Sequence, residues 1–257
     1  MKKGTSEKLY PVLAVFLLLF VWQAAVGWGF VDSFSIPSPL SIFAALIGEM
    51  GVLIGHLKIT LLEGLVGILF ATVFAVVVAV MMNMSPVIKS SVYPLLVFSQ
   101  TVPVIVLAPL FAMWFGFGLL PKIVVVTLVC FFPITVSITE GLSEVDTELL
   151  NMMRTMGANK KQLFLKAQFP AVLVPFYSGL KIAVTYSIMG AIIGEWMGGT
   201  AGLGVYMMRV KNSFAYDKMF AAIVLISITS IVLFKGIEAV QRATTPWSYY
   251  DAEKEQE

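Results

Sequence analysis

Few side chains in this sequence could do chemistry, and their spacing excludes most of it. The sole histidine, His56, rules out histidine pairs and the H-E-x-x-H arrangement that holds a metal beside a catalytic carboxylate. The single cysteine, Cys130, sits in the apolar run from Val124 to Phe132, so neither an internal disulfide nor a cysteine-based metal cluster can form. No G-x-x-x-x-G-K-[ST] loop is present, and the glycine-rich piece from Gly198 to Gly204 has no lysine to reach a phosphate. No cluster of His, Asp or Glu offers paired acid and base groups. The expectation is a protein that is not an enzyme and binds no metal or cofactor of its own.

The remaining polar groups are isolated in apolar surroundings: Glu63, Gln100, Thr101, Thr135, Thr185, Tyr186 and Glu195. A polar group at membrane depth is costly and usually faces a bundle interior or a water-filled cavity. Gln100, Thr101 and Tyr186 are therefore candidates for lining a pathway. Gln100 and Thr101 lie beside Pro103, where repairing backbone bonds freed by proline is an equally physical role. Glu195 and Trp196 precede the glycine-rich turn and fit either an interfacial anchor or a gate and docking point. Glu63 lies near a span end, where snorkelling competes with function. His56 reads as a residue near a helix start at the membrane boundary.

Composition explains why such groups would lie in a membrane. The 257 residues are 59% hydrophobic and 12% charged, against about 25% charged in soluble domains. A net charge of +2, with no basic run longer than Lys160-Lys161, gives no footing for nucleic acid. A bilayer core takes about 20 apolar residues per helix. Candidate spans are residues 10–28, 59–82, 92–115, 123–138, 172–197 and 219–239, with Pro94, Pro103 and Pro109 bending the third. The first is long for a signal-peptide core, and Trp22 and Gln23 interrupt the approach to the small residues Ala25-Val26-Gly27, so it reads as an uncleaved helix.

Six spans place both termini on one side, and the positive-inside rule chooses it. With the N-terminus in the cytoplasm, Lys2, Lys3, Lys8, Lys89, Arg154, Lys160, Lys161, Lys166, Lys181, Lys235, Arg242 and Lys254 fall inside. Only Lys58, Lys122, Arg209, Lys211 and Lys218 fall outside, so twelve of the 17 cations are inside. The fold class expected is an all-α membrane protein of about six transmembrane helices with both termini cytoplasmic. It reads as one transmembrane domain over residues 1–257, with its core at about 60–240.

Orientation places one long loop, at about 143–170, in the cytoplasm. Ser143 or Asp146 can cap a helix there, with Glu144 and Glu148 near its start and Arg154 near its end, which suits the helix dipole. Leu149, Leu150, Met152, Met153 and Met156 make it amphipathic. Gly157 ends it, and a second helix is expected to run to Pro170. Such a hairpin can pack on its own bundle or offer its Met and Leu face to a partner's groove.

This loop resembles the cytoplasmic loop of binding-protein-dependent ABC importer permeases, E-A-A-x3-G-x9-I-x-L-P. Gly157 and Pro170 have that spacing, whereas Asn151-Met152-Met153 stands for Glu-Ala-Ala, and Ala167 and Phe169 replace Ile and Leu. Ile36-Pro37-Ser38-Pro39, the stretch from Pro103 through Pro109 and Trp114 to Gly118, and the stretch from Gly194-Glu195-Trp196 to Gly204 are similar to the sulfonate, taurine, nitrate and thiamine-precursor branch. The likeness runs from Tyr10 to Trp247.

The resemblance implies a type I ABC importer permease in the bacterial inner membrane. It implies a separate ATPase subunit using ATP and Mg, a second permease copy, here a homodimer, and an external solute-binding protein. On that reading Glu148, Leu149, Asn151, Met152, Met153, Arg154, Gly157, Ala158 and Pro170 belong to the ATPase-coupling loop, with Glu148 to Lys161 as the coupling helix and its turn. Gly194-Glu195-Trp196 and Gly179-Leu180-Lys181 look most like permeases for thiamine pyrimidine precursors, with riboflavin-type and sulfonate or nitrate permeases close behind. The rival from another class is a secondary transporter, for which internal repeats and mid-membrane charge would be expected; no clear repeat links the halves, and interior charge is sparse.

Overall fold

The structure, a computed structural model, describes residues 6–247, so Lys2, Lys3 and Lys254 of the charge argument lie outside the described residues. Every regular element among those residues is helical. The order is α1 (Ser6–Gly27), α2 (Pro39–Gly48), α3 (Met50–Met84), α4 (Pro86–Ser99), α5 (Val104–Phe115), α6 (Leu119–Ser143), α7 (Thr147–Thr155) and α8 (Lys160–Leu163). A π turn (Phe164–Gln168) then leads into α9 (Phe169–Trp196), followed by α10 (Leu203–Asn212) and α11 (Tyr216–Thr244).

Among the described residues four helical stretches are long and apolar enough to cross a membrane: Met50–Met84, Leu119–Ser143, Lys160–Trp196 and Tyr216–Thr244. A fifth is formed if α4 and α5 count together, although they meet at 97°. The expected six counted α1 as well, a helix of 22 residues that is apolar from Val12 to Gly27.

The core is built where α6 packs along α9, with α3 against α6. Its interior is Ile68, Ala71, Ala75 and Ala79 of α3, Val126, Cys130, Ile134 and Ile138 of α6, and Ala183, Val184 and Ala191 of α9. The alanines let the backbones approach closely, the usual device where lipid supplies no hydrophobic drive for helix association. Large apolar side chains such as Phe70, Phe74, Leu120 and Ile231 point outward instead, as expected of surfaces that meet lipid.

The third expected span differs from a bent rod. α4 stops at Ser99, and α5 restarts at Val104 after Pro103. Pro103 has no N–H to give and pushes Val102 away from helical angles, so the chain turns there by 97°. Pro94 and Pro109 lie inside α4 and α5.

A second difference concerns Pro170. The expected separate helix closing at that residue is absent, because the chain is helical without interruption from Lys160 to Trp196. Proline would clash with the carbonyl four residues back. The wider π turn just before it, in which the Phe169 N–H reaches the Phe164 carbonyl, absorbs that conflict. Pro170 therefore belongs to the start of α9 rather than to a loop end.

Candidate functional site

Two arrangements occupy opposite ends of the bundle. At one end α7 stands off the core on a tight turn. The Asp146 carboxylate accepts the Glu148 N–H at 2.7 Å, capping the helix, whereas Ser143 closes α6 and meets the Lys89 ammonium at 2.7 Å. At the other terminus of α7, the Gly157 N–H reaches the Arg154 carbonyl and the Ala158 N–H reaches the Met153 carbonyl. Those paired bonds form a Schellman motif, which requires a left-handed residue, and Gly157 has φ +85°. The chain re-enters a helix at Asn159, whose side chain exchanges hydrogen bonds with Gln162 in a capping box.

This hairpin has two faces. Leu150 packs with Val145, Leu163 and Ala167 into a small core of its own, and Met153 and Ala158 lean on it. Leu149, Met152 and Met156 are left exposed, Met156 by 78%. Glu148, Asn151 and Arg154 are exposed too, with Arg154 donating to the Asn151 side-chain oxygen at 2.9 Å. The structure thus gathers the expected loop residues from Glu148 to Ala158 on one hairpin.

At the far end, charged and polar groups are buried together. Glu63 of α3 is 1% exposed and accepts a hydrogen bond from the Lys122 ammonium of α6 at 2.6 Å. Glu195 of α9, also 1% exposed, takes the Thr60 hydroxyl on one oxygen at 2.6 Å and the Gly204 N–H on the other. Thr60 Oγ1 in turn accepts the Leu203 N–H at 2.9 Å, and His56 Nδ1 accepts the Gly202 N–H at 3.0 Å. Side chains of α3 and α9 thereby satisfy successive N–H groups at the start of α10, where a helix has no partners of its own and favours negative charge.

Gly202 makes this approach possible. Its φ is +120°, and a Cβ there would run into the Glu195 carboxylate. Beside the cluster, a cavity of about 230 Å3 is lined by Glu63, Lys122, Phe117, Gly198 and Thr200.

Snorkelling of Glu63 is excluded by its burial. Trp196 is half-buried beside the cluster. Gln100 and Thr101 are exposed at the α4–α5 elbow, with the Thr101 hydroxyl donating to the Phe98 carbonyl at 2.8 Å. Tyr186 is exposed on α9, nine residues before Glu195, roughly 14 Å along the helix. These polar residues do not form one constellation.

Sequence reasoning missed Lys122, counted above as an outer charge, and Thr60. The available signal was a lone Glu and a lone Lys of opposite sign, each in an apolar helix near the same end of the bundle. Among the described residues no group of His, Cys, Asp and Glu could hold a metal ion. Neither end supplies a nucleophile with its base; both hold helices in place.

Comparison with known proteins bears on these two ends. The sequence profile of the family described as "binding-protein-dependent transport system inner membrane component" matches residues 67–246. The chain is 34% identical over 246 residues to the formylaminopyrimidine transport permease protein ThiX of Halalkalibacterium halodurans, covering 95% of this chain and 98% of that one. It is 35% identical over 230 residues to a probable ABC transporter permease protein of Haemophilus influenzae, covering 90% and 94%. In fold it is similar to a chain of the inward-facing MetNI methionine ABC transporter, with a TM-score of 0.66 at 21% identity over 76% of this chain and 97% of that chain.

Proposed function

We propose a cargo and a working arrangement on one premise: the chain belongs to the family of binding-protein-dependent transport system inner membrane components. It is a multi-pass inner-membrane permease subunit of an ABC importer, with no catalytic role; ATP is hydrolysed by a separate subunit. The cargo we infer is a thiamine pyrimidine precursor of the formylaminopyrimidine type. The observation that carries this is the 34% identity to ThiX across nearly the whole of both chains.

In the proposed arrangement the α7 end is cytoplasmic, and the exposed Leu149, Met152 and Met156 enter a groove of the ATPase. An amphipathic helix held on its own small core suits that role, since its apolar outer face needs a partner. Two permease copies enclose the pathway, and a solute-binding protein delivers cargo at the Glu195 end. Uptake of labelled formylaminopyrimidine into proteoliposomes holding permease, ATPase and binding protein is the expected result. Uptake of riboflavin or taurine in its place would overturn the cargo and leave the importer standing.

Gln100, Thr101 and Tyr186 are proposed to face the pathway. Their exposure in a single chain, at the α4–α5 elbow and on α9 among lipid-compatible side chains, supports this. Single cysteines at Gln100 and Tyr186, in a Cys130→Ser background, should react with a water-soluble maleimide in at least one nucleotide state of the complex. Silence at both positions in every state would remove them from the pathway.

A further inference from the structure

A second cavity, of about 570 Å3, lies at the α7 end between the last turn of α3, α7, and the stretch through α8 and the π turn. Arg154, Lys160 and Lys161 line it, and no carboxylate does. Among the described residues none of the three forms an ion pair. The remaining wall is part apolar, from Val80, Leu150 and Phe164, and part amide, from Asn83 and Gln168.

Three uncompensated cations over an apolar wall call for a ligand that is both anionic and greasy. The depth agrees: the cavity sits where the apolar run of α3 gives way to Asn83 and the chain turns at Ser85-Pro86. An apolar run that ends in a polar turn fits a site where acyl chains meet head groups. We propose that this cavity binds an anionic phospholipid, its phosphate held by Lys160, Lys161 and Arg154 and the start of an acyl chain lying against Val80 and Phe164. Basic pockets between helices at a membrane surface recognise such head groups by charge and shape. An occupant there would touch α3 and the α7 hairpin at once and join them.

The test uses full-length permease in a neutral detergent, titrated with phosphatidylglycerol or phosphatidylcholine and read by native mass spectrometry for retained lipid. Phosphatidylglycerol should be retained and phosphatidylcholine should not, with retention falling as salt is raised. The double variant Lys160→Gln/Lys161→Gln should bind phosphatidylglycerol about thirtyfold more weakly, at roughly fivefold per basic residue. Lys160→Arg/Lys161→Arg, which keeps the charge, and Lys235→Gln, which removes a cation at the same end but outside the cavity, should both bind as the wild type does. Equal retention by the Gln double variant would overturn the proposal, as would an equal loss in Lys235→Gln. So would inorganic phosphate displacing the lipid at millimolar concentration, or the lipid being expelled when the ATPase subunit binds, since the cavity would then belong to a free anion or to the partner.

Discussion

Replacing Lys122 by methionine should cost about 3–5 kcal/mol of stability, because it strands the Glu63 carboxylate without its cation in a buried site. Methionine keeps the length of the side chain, so the loss isolates the charge. The double variant Glu63→Leu/Lys122→Met should recover most of the loss, since apolar replacement of a whole buried pair is often close to neutral. Thermal unfolding of the detergent-solubilised permease measures both. A double variant no more stable than Lys122→Met alone would show that the pair is not a closed unit.

The largest functional effect is expected at Gly157. A valine there must take up φ +85°, a conformation that strains β-branched residues by about 1–3 kcal/mol. A Cβ at this position would touch nothing within 4 Å, so the penalty is one of backbone alone. At the upper end of that range the native turn loses on the order of a hundredfold against other turns, and Leu149, Met152 and Met156 no longer present one face. Gly157→Val should abolish uptake in proteoliposomes while the ATPase continues to hydrolyse ATP. Gly157→Asn should remain close to wild type, because asparagine tolerates the left-handed region. Coupled transport in the valine variant would mean that α7 is not the element that transmits the work of ATP.

These two sites were unequally legible in the sequence. The α7 hairpin is local, and its signals are local: Ser143 or Asp146 for the cap, Leu and Met at helical spacing for the faces, Gly157 for the turn. Its expected end at Pro170 was wrong because a proline's effect depends on whether a π turn precedes it, and no residue type announces one. The long apolar helices were readable for the same reason as the hairpin, although α3 extends nine residues before the Ile59 expected to open it. The polar cluster is the opposite case. Glu63 and Lys122 lie 59 positions apart, and Glu195 and Thr60 lie 135 apart. Their partnership depends on how α3, α6 and α9 pack, which residue spacing along one chain does not encode. Counting Lys122 among the outer charges followed from treating each span by itself.

The unbroken helix from Lys160 to Trp196 has a mechanical consequence. Its 37 residues make a lever about 55 Å long, with the α7 hairpin at one end and Glu195 at the other. A tilt of only about 5° about the hairpin end carries Glu195 through roughly 5 Å. Its 2.6 Å bond to Thr60 fails well before that, since such bonds weaken steeply beyond about 3 Å. Either α3 swings with the lever as one body, or the fastening to α10 releases at a threshold rather than yielding by degrees. A push at one face of the membrane would then be read at the other as a discrete event.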